Sequence, residues 1–188
     1  MMSSIAELQK QVREGKDLRI TGDVDNTDKE YINISTYSGV VEYFPEELVI
    51  TLKAGTTIQE INNTLAAYGQ ALPFFAENCE KTIGSLYATS GPEFSDSVLG
   101  VQIINGKGEL LNFGGQVMKN VAGYDVSKLL VGSMGRLALV TQISLKILPQ
   151  RIAKQFQLKP PSKHKASELS LNLENKLKKV FDPYAVCV

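Results

Sequence analysis

GGQVMKNVAGYDVSKLLVGSMG, residues 114–135, holds five of the chain's fifteen glycines, a lysine–asparagine pair and one short apolar run. Glycines at that density either punctuate turns or let backbone come close to something flat or anionic. Upstream, GVQIIN-GKG-ELLNF (100–113) reads as a hairpin, with Gly106 and Gly108 free to take the positive φ of a tight turn. Downstream, LALVTQISLKILP (137–149) is the longest strand signal: Ile143, Leu145 and Ile147 alternate with Ser144 and Lys146, and Pro149 closes it. Between them Asp125 is placed to cap a short helix, VSKLLVG. The glycine stretch is therefore a connection between β elements.

Outward from this segment the same logic divides the chain. Ser4 stands three residues before Glu7, a capping-box spacing, and Ile5, Leu8 and Val12 share one helical face ended by Gly15. LRITG and YINI are short strand candidates, and LVITLKAG is a longer one. AGTTIQEINNTLAAYGQ is the clearest helix, with Thr56 and Gln59 as its capping pair, Ile58, Ile61, Leu65 and Tyr68 as its apolar stripe, and Gly69 at its end. Residues 71–97, with Pro73, Gly84, Gly91 and Pro92, read as loop. KQFQL is a last strand candidate. SELSLNLENKLKKVFDP reads as a helix that turns Leu169, Leu173, Leu177 and Val180 inward and stops before Asp182-Pro183. Short strands outnumber helices and gather around hairpins, so the expected class is α+β, helices packed on mixed or antiparallel sheets.

The bulk numbers exclude several functions. The chain has 188 residues, 43% of them hydrophobic and 21% charged, with a formal net charge of zero. That leaves no electrostatic footprint for nucleic acid and no polybasic membrane patch. No apolar run approaches the ~20 residues of a membrane span, and MMSSIAELQKQVREGKDL lacks the apolar centre of a signal peptide, so a cytoplasmic location is expected. Cys79 and Cys187 lie far apart outside any CxxC pattern and read as reduced. The single histidine, His164, sits in the linker-like KPPSKHKAS, which argues against a metal site or a Ser-His-Asp triad.

Three segments are candidates to approach a phosphate: TGDVDN (21–26) after the first strand, KTIGSLYATSG (81–91), and GSMG (132–135). None is a Rossmann GxGxxG or a Walker GxxxxGK[ST]. Taken in order with VVEYFPEELVITLKAGTTIQEINNTLAAYGQALPF and VLGVQIINGKGELLNFGGQVMKNVAGYDVSKLLVGSMGRLALVTQISLKILP, they resemble the flavoproteins that share the vanillyl-alcohol-oxidase-type (PCMH-type) FAD-binding domain. Within that family the match is to the FAD-binding subunits of bacterial glycolate oxidase, whose branch signature is GQVMKNVAGYD followed by GSxG. It covers about residues 17–150, and KLKKVFDP resembles those subunits' C-terminal helix.

The resemblance implies a two-subdomain fold with FAD stretched between the parts and glycine-rich loops meeting the pyrophosphate through backbone N–H groups. Residues 1–150 would form the FAD-binding domain, in subdomains of about 1–75 and 76–150. Residues 151–166 would be a strand and linker in place of the family's substrate domain, and 167–188 the C-terminal helix and tail. Thr82, Ile83, Gly84 and Ser85 correspond to the pyrophosphate loop. Gly132, Ser133 and Gly135 correspond to a loop passing close to the cofactor, and Leu139 and Val140 to backbone at the adenine end. Pro73 and Phe74 match a segment near the flavin, and Lys119, Asn120 and Gly123 belong to the branch signature on the isoalloxazine side.

The departures from the pattern are specific. The first phosphate loop reads GDVDN, with Asp23 and Asp25 where glycine amides are expected; a carboxylate ~5 Å from phosphate repels it by a few kcal/mol at an effective dielectric near 20. ATIGG has become KTIGS, the arginines that usually follow that loop are gone, and Ala138 replaces a glycine. The substrate-covering segment is missing, leaving no pocket for a hydroxy acid and no general base. Two functions follow, and the sequence leaves both open. One is an FAD-binding subunit of a glycolate or 2-hydroxy-acid oxidase complex, an oxidoreductase component passing electrons between flavin and iron–sulfur partner subunits without a substrate site of its own. The other is a cofactor-free structural or interaction subunit descended from that domain.

Overall fold

The computed structural model describes residues 4–22, 31–116, 125–153, 156–158 and 168–188. The chain opens with helix α1 (Ile5–Glu14), and the Ser4/Glu7 capping box is formed: the Glu7 amide donates to Ser4 Oγ and the Ser4 amide to Glu7 Oε2. Strands β1 (Arg19–Thr21) and β2 (Tyr31–Asn33) follow and pair in parallel, Ile20 opposite Ile32. Next come β3 (Val40–Phe44), β4 (Val49–Lys53), α2 (Ile58–Ala66), and the two-residue strands β5 (Gln70–Ala71) and β6 (Phe74–Phe75). Helices α3 (Ile83–Thr89) and α4 (Pro92–Ser95) lead into β7 (Val98–Ile104) and β8 (Leu110–Gly114). The short helix α5 (Val126–Leu129) precedes β9 (Leu139–Lys146), β10 (Leu148–Pro149) and β11 (Phe156–Gln157), and α6 (Glu168–Phe181) ends the series.

Five strands form one antiparallel sheet in the order β3-β4-β9-β7-β8. β4 and β9 run as its centre, Ile50 opposite Leu145 and Leu52 opposite Ile143. Those apolar residues point to one face, where α2 lays down Ile58, Ile61 and Leu65, all fully buried. The opposite face is polar: Thr51 and Ser144 share a hydrogen bond of 2.8 Å, and Gln102 donates to Asn112. Alternation along each strand places the two sets on opposite faces. Because β3 and β4 come from before residue 75 and β7 to β9 from after it, strands from both sides of that position share one sheet.

A second, smaller core joins Leu8 and Val12 of α1 to Ile32, Ile34, Tyr37, Leu139 and Val186. The C-terminal tail belongs to it. The Leu18 amide donates to the Val186 carbonyl and the Val188 amide returns to Leu18, so the tail lies parallel beside β1. Asp182, 2% exposed, accepts from the amides of Val186 and Cys187 and fixes the bend that sends the tail there.

The structure is the expected α+β arrangement, with four local corrections. The cap of α2 is Thr57 with Glu60, one residue later than the Thr56/Gln59 spacing. Thr56 is instead buried and donates to the Lys53 and Gly39 carbonyls. Tyr68 lies beyond the end of α2 and is exposed, edge-on to Tyr43. The segment read as loop contains α3 and α4; Gly, Ser and Thr are weak helix formers, and α3 is held by its Thr82 cap and by burying Ile83, Leu86 and Tyr87. On α6, Leu173 and Val180 face outward while Leu177 and Phe181 pack on the core.

In the 105–109 turn, Gly108 has φ +75°, whereas Gly106 is required for space: a Cβ there would meet Asp182, whose Cα stands 2.8 Å away. Both cysteines are free thiols, as expected. His164 lies outside the described residues. Among the described residues no helix is long and apolar enough to cross a membrane, and no cluster of His, Cys, Asp and Glu is arranged to hold a metal.

Candidate functional site

Helix α3 is the floor of the site. Its cap is Thr82, whose Oγ1 accepts from the Ser85 amide at 3.2 Å, and Thr82 itself is fully buried. Gly84 lies against the end of β4, donating to the Ala54 carbonyl at 2.8 Å. At the other end, the 132–135 loop is stitched onto α3 by two amides: Gly132 donates to Tyr87 O and Met134 to Ala88 O, both at 2.9 Å. Gly132 (φ +76°), Met134 (φ +57°) and Gly135 (φ +75°) all adopt the left-handed conformation that this sharp loop demands. Tyr87 adds a third stitch, its hydroxyl donating to the Ser127 carbonyl of α5. Burial holds that phenol well above its ordinary pKa, and the Asp125 charge adds to the effect, so Tyr87 serves as a neutral structural donor.

Between α3, the 132–135 loop and the ends of β1 and β2 runs a cleft of about 150 Å³. One wall is apolar: Ile20, Ile34 and Val140. The floor is small-residue backbone and hydroxyl: Gly84, Ser85, Ala88 and Thr89. The rim is Ser133, Met134 and Gly135, with Gly22 and Ala138 completing the lining. Thr89 also lines an adjoining cavity of about 290 Å³, which reaches Phe75, Asn78 and Lys81 on one side and Ser90 and Leu158 on the other.

Five of the residues expected at a cofactor meet in this cleft: Gly84, Ser85, Ser133, Gly135 and Val140. Thr82 and Ile83 stand behind its floor, fully buried, and Leu139 is inside the smaller core. Gly132 braces the rim, since a Cβ on it would meet the Ser90 carbonyl at 2.9 Å. Pro73 and Phe74 are buried, the Phe74 ring tilted against that of Phe94 with centroids 5.1 Å apart; the neighbouring Phe75 is the residue that reaches the adjoining cavity. Lys119, Asn120 and Gly123, like Asp23 and Asp25, lie outside the described residues. Sequence reading missed Ala88 and Thr89. They follow Gly84 and Ser85 by four residues, the helical period that would have found them had 83–89 been read as helix. It also missed Ile20 and Ile34, which had appeared only as strand residues.

The expected mode of phosphate binding was a nest of backbone N–H groups. In the structure six of those amides already have acceptors. Ile83 donates to Thr56 O, Gly84 to Ala54 O and Ser85 to Thr82 Oγ1; Gly132, Ser133 and Met134 donate to Tyr87 O, Leu130 O and Ala88 O. What the cleft offers is a narrow channel floored by small residues, one flat apolar wall, and the hydroxyls of Ser85, Thr89 and Ser133. The aliphatic wall can take an aromatic base, and a floor without large side chains leaves room for a diphosphate. The cleft alone is smaller than the ~300–1,000 Å³ of a typical small-molecule site, so an extended ligand would continue into the adjoining cavity.

Comparison with known sequences carries the same message. The profile of a family described as "FAD binding domain" matches residues 11–114, more than half of the chain. The chain belongs to the FAD binding domain family. FAD is the cofactor of that family, and the matched stretch includes Ile20, Gly22, Ile34, Gly84, Ser85, Ala88 and Thr89 of the cleft. The chain is 44% identical over 131 residues to glycolate oxidase subunit GlcE of Escherichia coli, an alignment covering 63% of this chain and 37% of that one. It is 29% identical over 105 residues to a D-lactate dehydrogenase of Archaeoglobus fulgidus, covering 52% of this chain and 24% of the other. Glycolate oxidase subunit GlcD of Bacillus subtilis is 27% identical over 128 residues, covering 63% and 27%. The alignments thus span 24% to 37% of the length of these relatives.

Proposed function

We propose that this chain is the FAD-holding part of a glycolate or 2-hydroxy-acid oxidase assembly, passing electrons between partner subunits that include a catalytic flavin subunit and an iron–sulfur subunit. The observation that carries the reading is the convergence of Gly84, Ser85, Ser133, Gly135 and Val140, distant in sequence, on one cleft of a chain that is 44% identical to a glycolate oxidase subunit over 131 residues. When bound, FAD supplies the two-electron chemistry. The protein's own residues bind and orient it. Ile20, Ile34 and Val140 would take the adenine end, with the Leu139 backbone behind them. Ser85, Thr89 and Ser133 would donate hydroxyl hydrogen bonds along the diphosphate, while Thr82, Ile83 and Gly132 hold the floor and rim in place. The flavin end would extend toward the segment of Pro73 and Phe74; Lys119, Asn120 and Gly123, expected on the isoalloxazine side, lie outside the described residues.

In this reading residues 1–150 form the cofactor domain, 151–166 link it, and 167–188 close the smaller core. The protein acts as a conduit, and the substrate is oxidised on a partner. Anaerobic spectroscopy tests this: the FAD-loaded chain should stay oxidised with glycolate alone and bleach when purified catalytic oxidase subunits are added. Bleaching by glycolate alone, or no bleaching in the mixture, would contradict the assignment.

A further inference from the structure

The cleft has a charge deficit. Among the described residues its lining carries no ionised side chain, and the six described amides of 83–85 and 132–134 are bonded to protein acceptors. A diphosphate brings negative charge, and hydroxyls that donate to it, though charge-assisted, carry no positive charge to neutralise it. The adjoining cavity, which shares Thr89 with the cleft, does hold a cation: Lys81. Lys81 directly precedes the buried cap Thr82 and stands outside α3, lining the cavity that shares Thr89 with the cleft. It is exposed, and the ion pairs found among the described residues, Lys128–Asp125 and Arg136–Glu174, leave it out. Glu77 lines the same cavity on the loop before it.

We propose that Lys81 is the cofactor diphosphate's counter-charge in this protein, a side chain replacing the backbone nest that the loop has committed to its own fold. The inference rests on the FAD reading above and adds the residue that makes the neutral cleft competent for an anion. The ammonium is a point charge on a four-carbon stem, suited to swing from solvent to a phosphate without a fixed hydrogen-bond fork.

The test is a fluorescence and calorimetric titration of the full chain with FAD, ADP and riboflavin, comparing wild type, Lys81→Gln and Lys81→Arg. Lys81→Gln should weaken FAD and ADP by about tenfold at low salt, and the loss should shrink as salt screens the charge. Riboflavin, which has no phosphate, should bind all three equally; Lys81→Arg should restore most of the affinity, and the Tm should not move. Equal FAD affinity in wild type and Lys81→Gln would overturn the proposal while leaving the FAD reading intact, as would an equal loss of riboflavin. Were wild type to bind no FAD, that reading would fall by itself. Inorganic pyrophosphate would then decide Lys81: binding lost in Lys81→Gln keeps the anion site, and no binding by wild type overturns it.

Discussion

Gly84 rests directly on the backbone of Ala54: its amide donates to the Ala54 carbonyl at 2.8 Å, and a Cβ added to it would stand 2.8 Å from the same oxygen and 2.9 Å from the Ala54 Cβ. The contact sets the height of α3 above the sheet and so the depth of the cleft. Gly84→Ala must push α3 away from β4, and overpacking of this kind costs ~1–3 kcal/mol. Thermal unfolding should show the loss. FAD affinity should fall as well, because Ser85, Ala88 and Thr89 move with the helix.

Much of this architecture was legible in the sequence. The Ser4/Glu7 box, the alternation around Ile143 and Leu145, and the GKG hairpin are local patterns with local causes, and each appears where it was read. The failures share a different cause. Thr56 and Thr57 both precede the α2 stripe, and only the tertiary environment separates them: Thr56 is drawn inward by the Lys53 and Gly39 carbonyls, leaving Thr57 to cap with Glu60. Helix α3 has poor intrinsic propensity and exists because Leu86 and Tyr87 are buried beneath it. The candidate site followed the same division. Glycines could be picked out one at a time, but whether their amides were free depended on acceptors such as Thr56, Ala54 and Tyr87, far away in the chain.

The rim of the cleft should be as sensitive as its floor. Gly135 sits at φ +75°, and a Cβ added to it would stand 3.3 Å from Ile20 Cδ1. Gly135→Ala imposes the left-handed penalty of ~1–2 kcal/mol and presses on the apolar wall. The expected outcome in a ligand titration is a drop in FAD and ADP affinity larger than the drop in Tm alone would explain.

The tail depends on one carboxylate. Asp182 takes the amides of both Val186 and Cys187 while 2% exposed, and Lys178 Nζ donates to the Cys187 carbonyl at 2.8 Å. Asp182→Ala strands two inward-facing amides and should cost ~2–4 kcal/mol in urea unfolding. Asp182→Asn keeps one acceptor and should cost less. Equal costs would contradict this, since Asn keeps both the side chain's volume beside Gly106 and one of its two acceptors.

Cys187 gives the fold a high-pH limit. Burial, aided by the Asp182 charge and opposed by Lys178, pushes its thiol from 9.0 up to about 12. The unfolded chain then releases this proton near pH 9 while the folded chain keeps it, so the stability present below pH 9 is lost progressively between 9 and 12. Urea midpoints should fall across that range, and Cys187→Ala should flatten the fall. In thiol labelling at mildly alkaline pH, half-buried Cys79 should react first and Cys187 should resist.

The central claim is that the cleft between α3 and the 132–135 loop holds FAD. Its most direct test is to purify the chain from riboflavin-fed cells, record the visible spectrum, and titrate any colourless fraction with FAD. The account predicts a yellow protein or saturable, stoichiometric FAD uptake that Gly84→Ala and Gly135→Ala weaken. A colourless protein that takes up no FAD would contradict it.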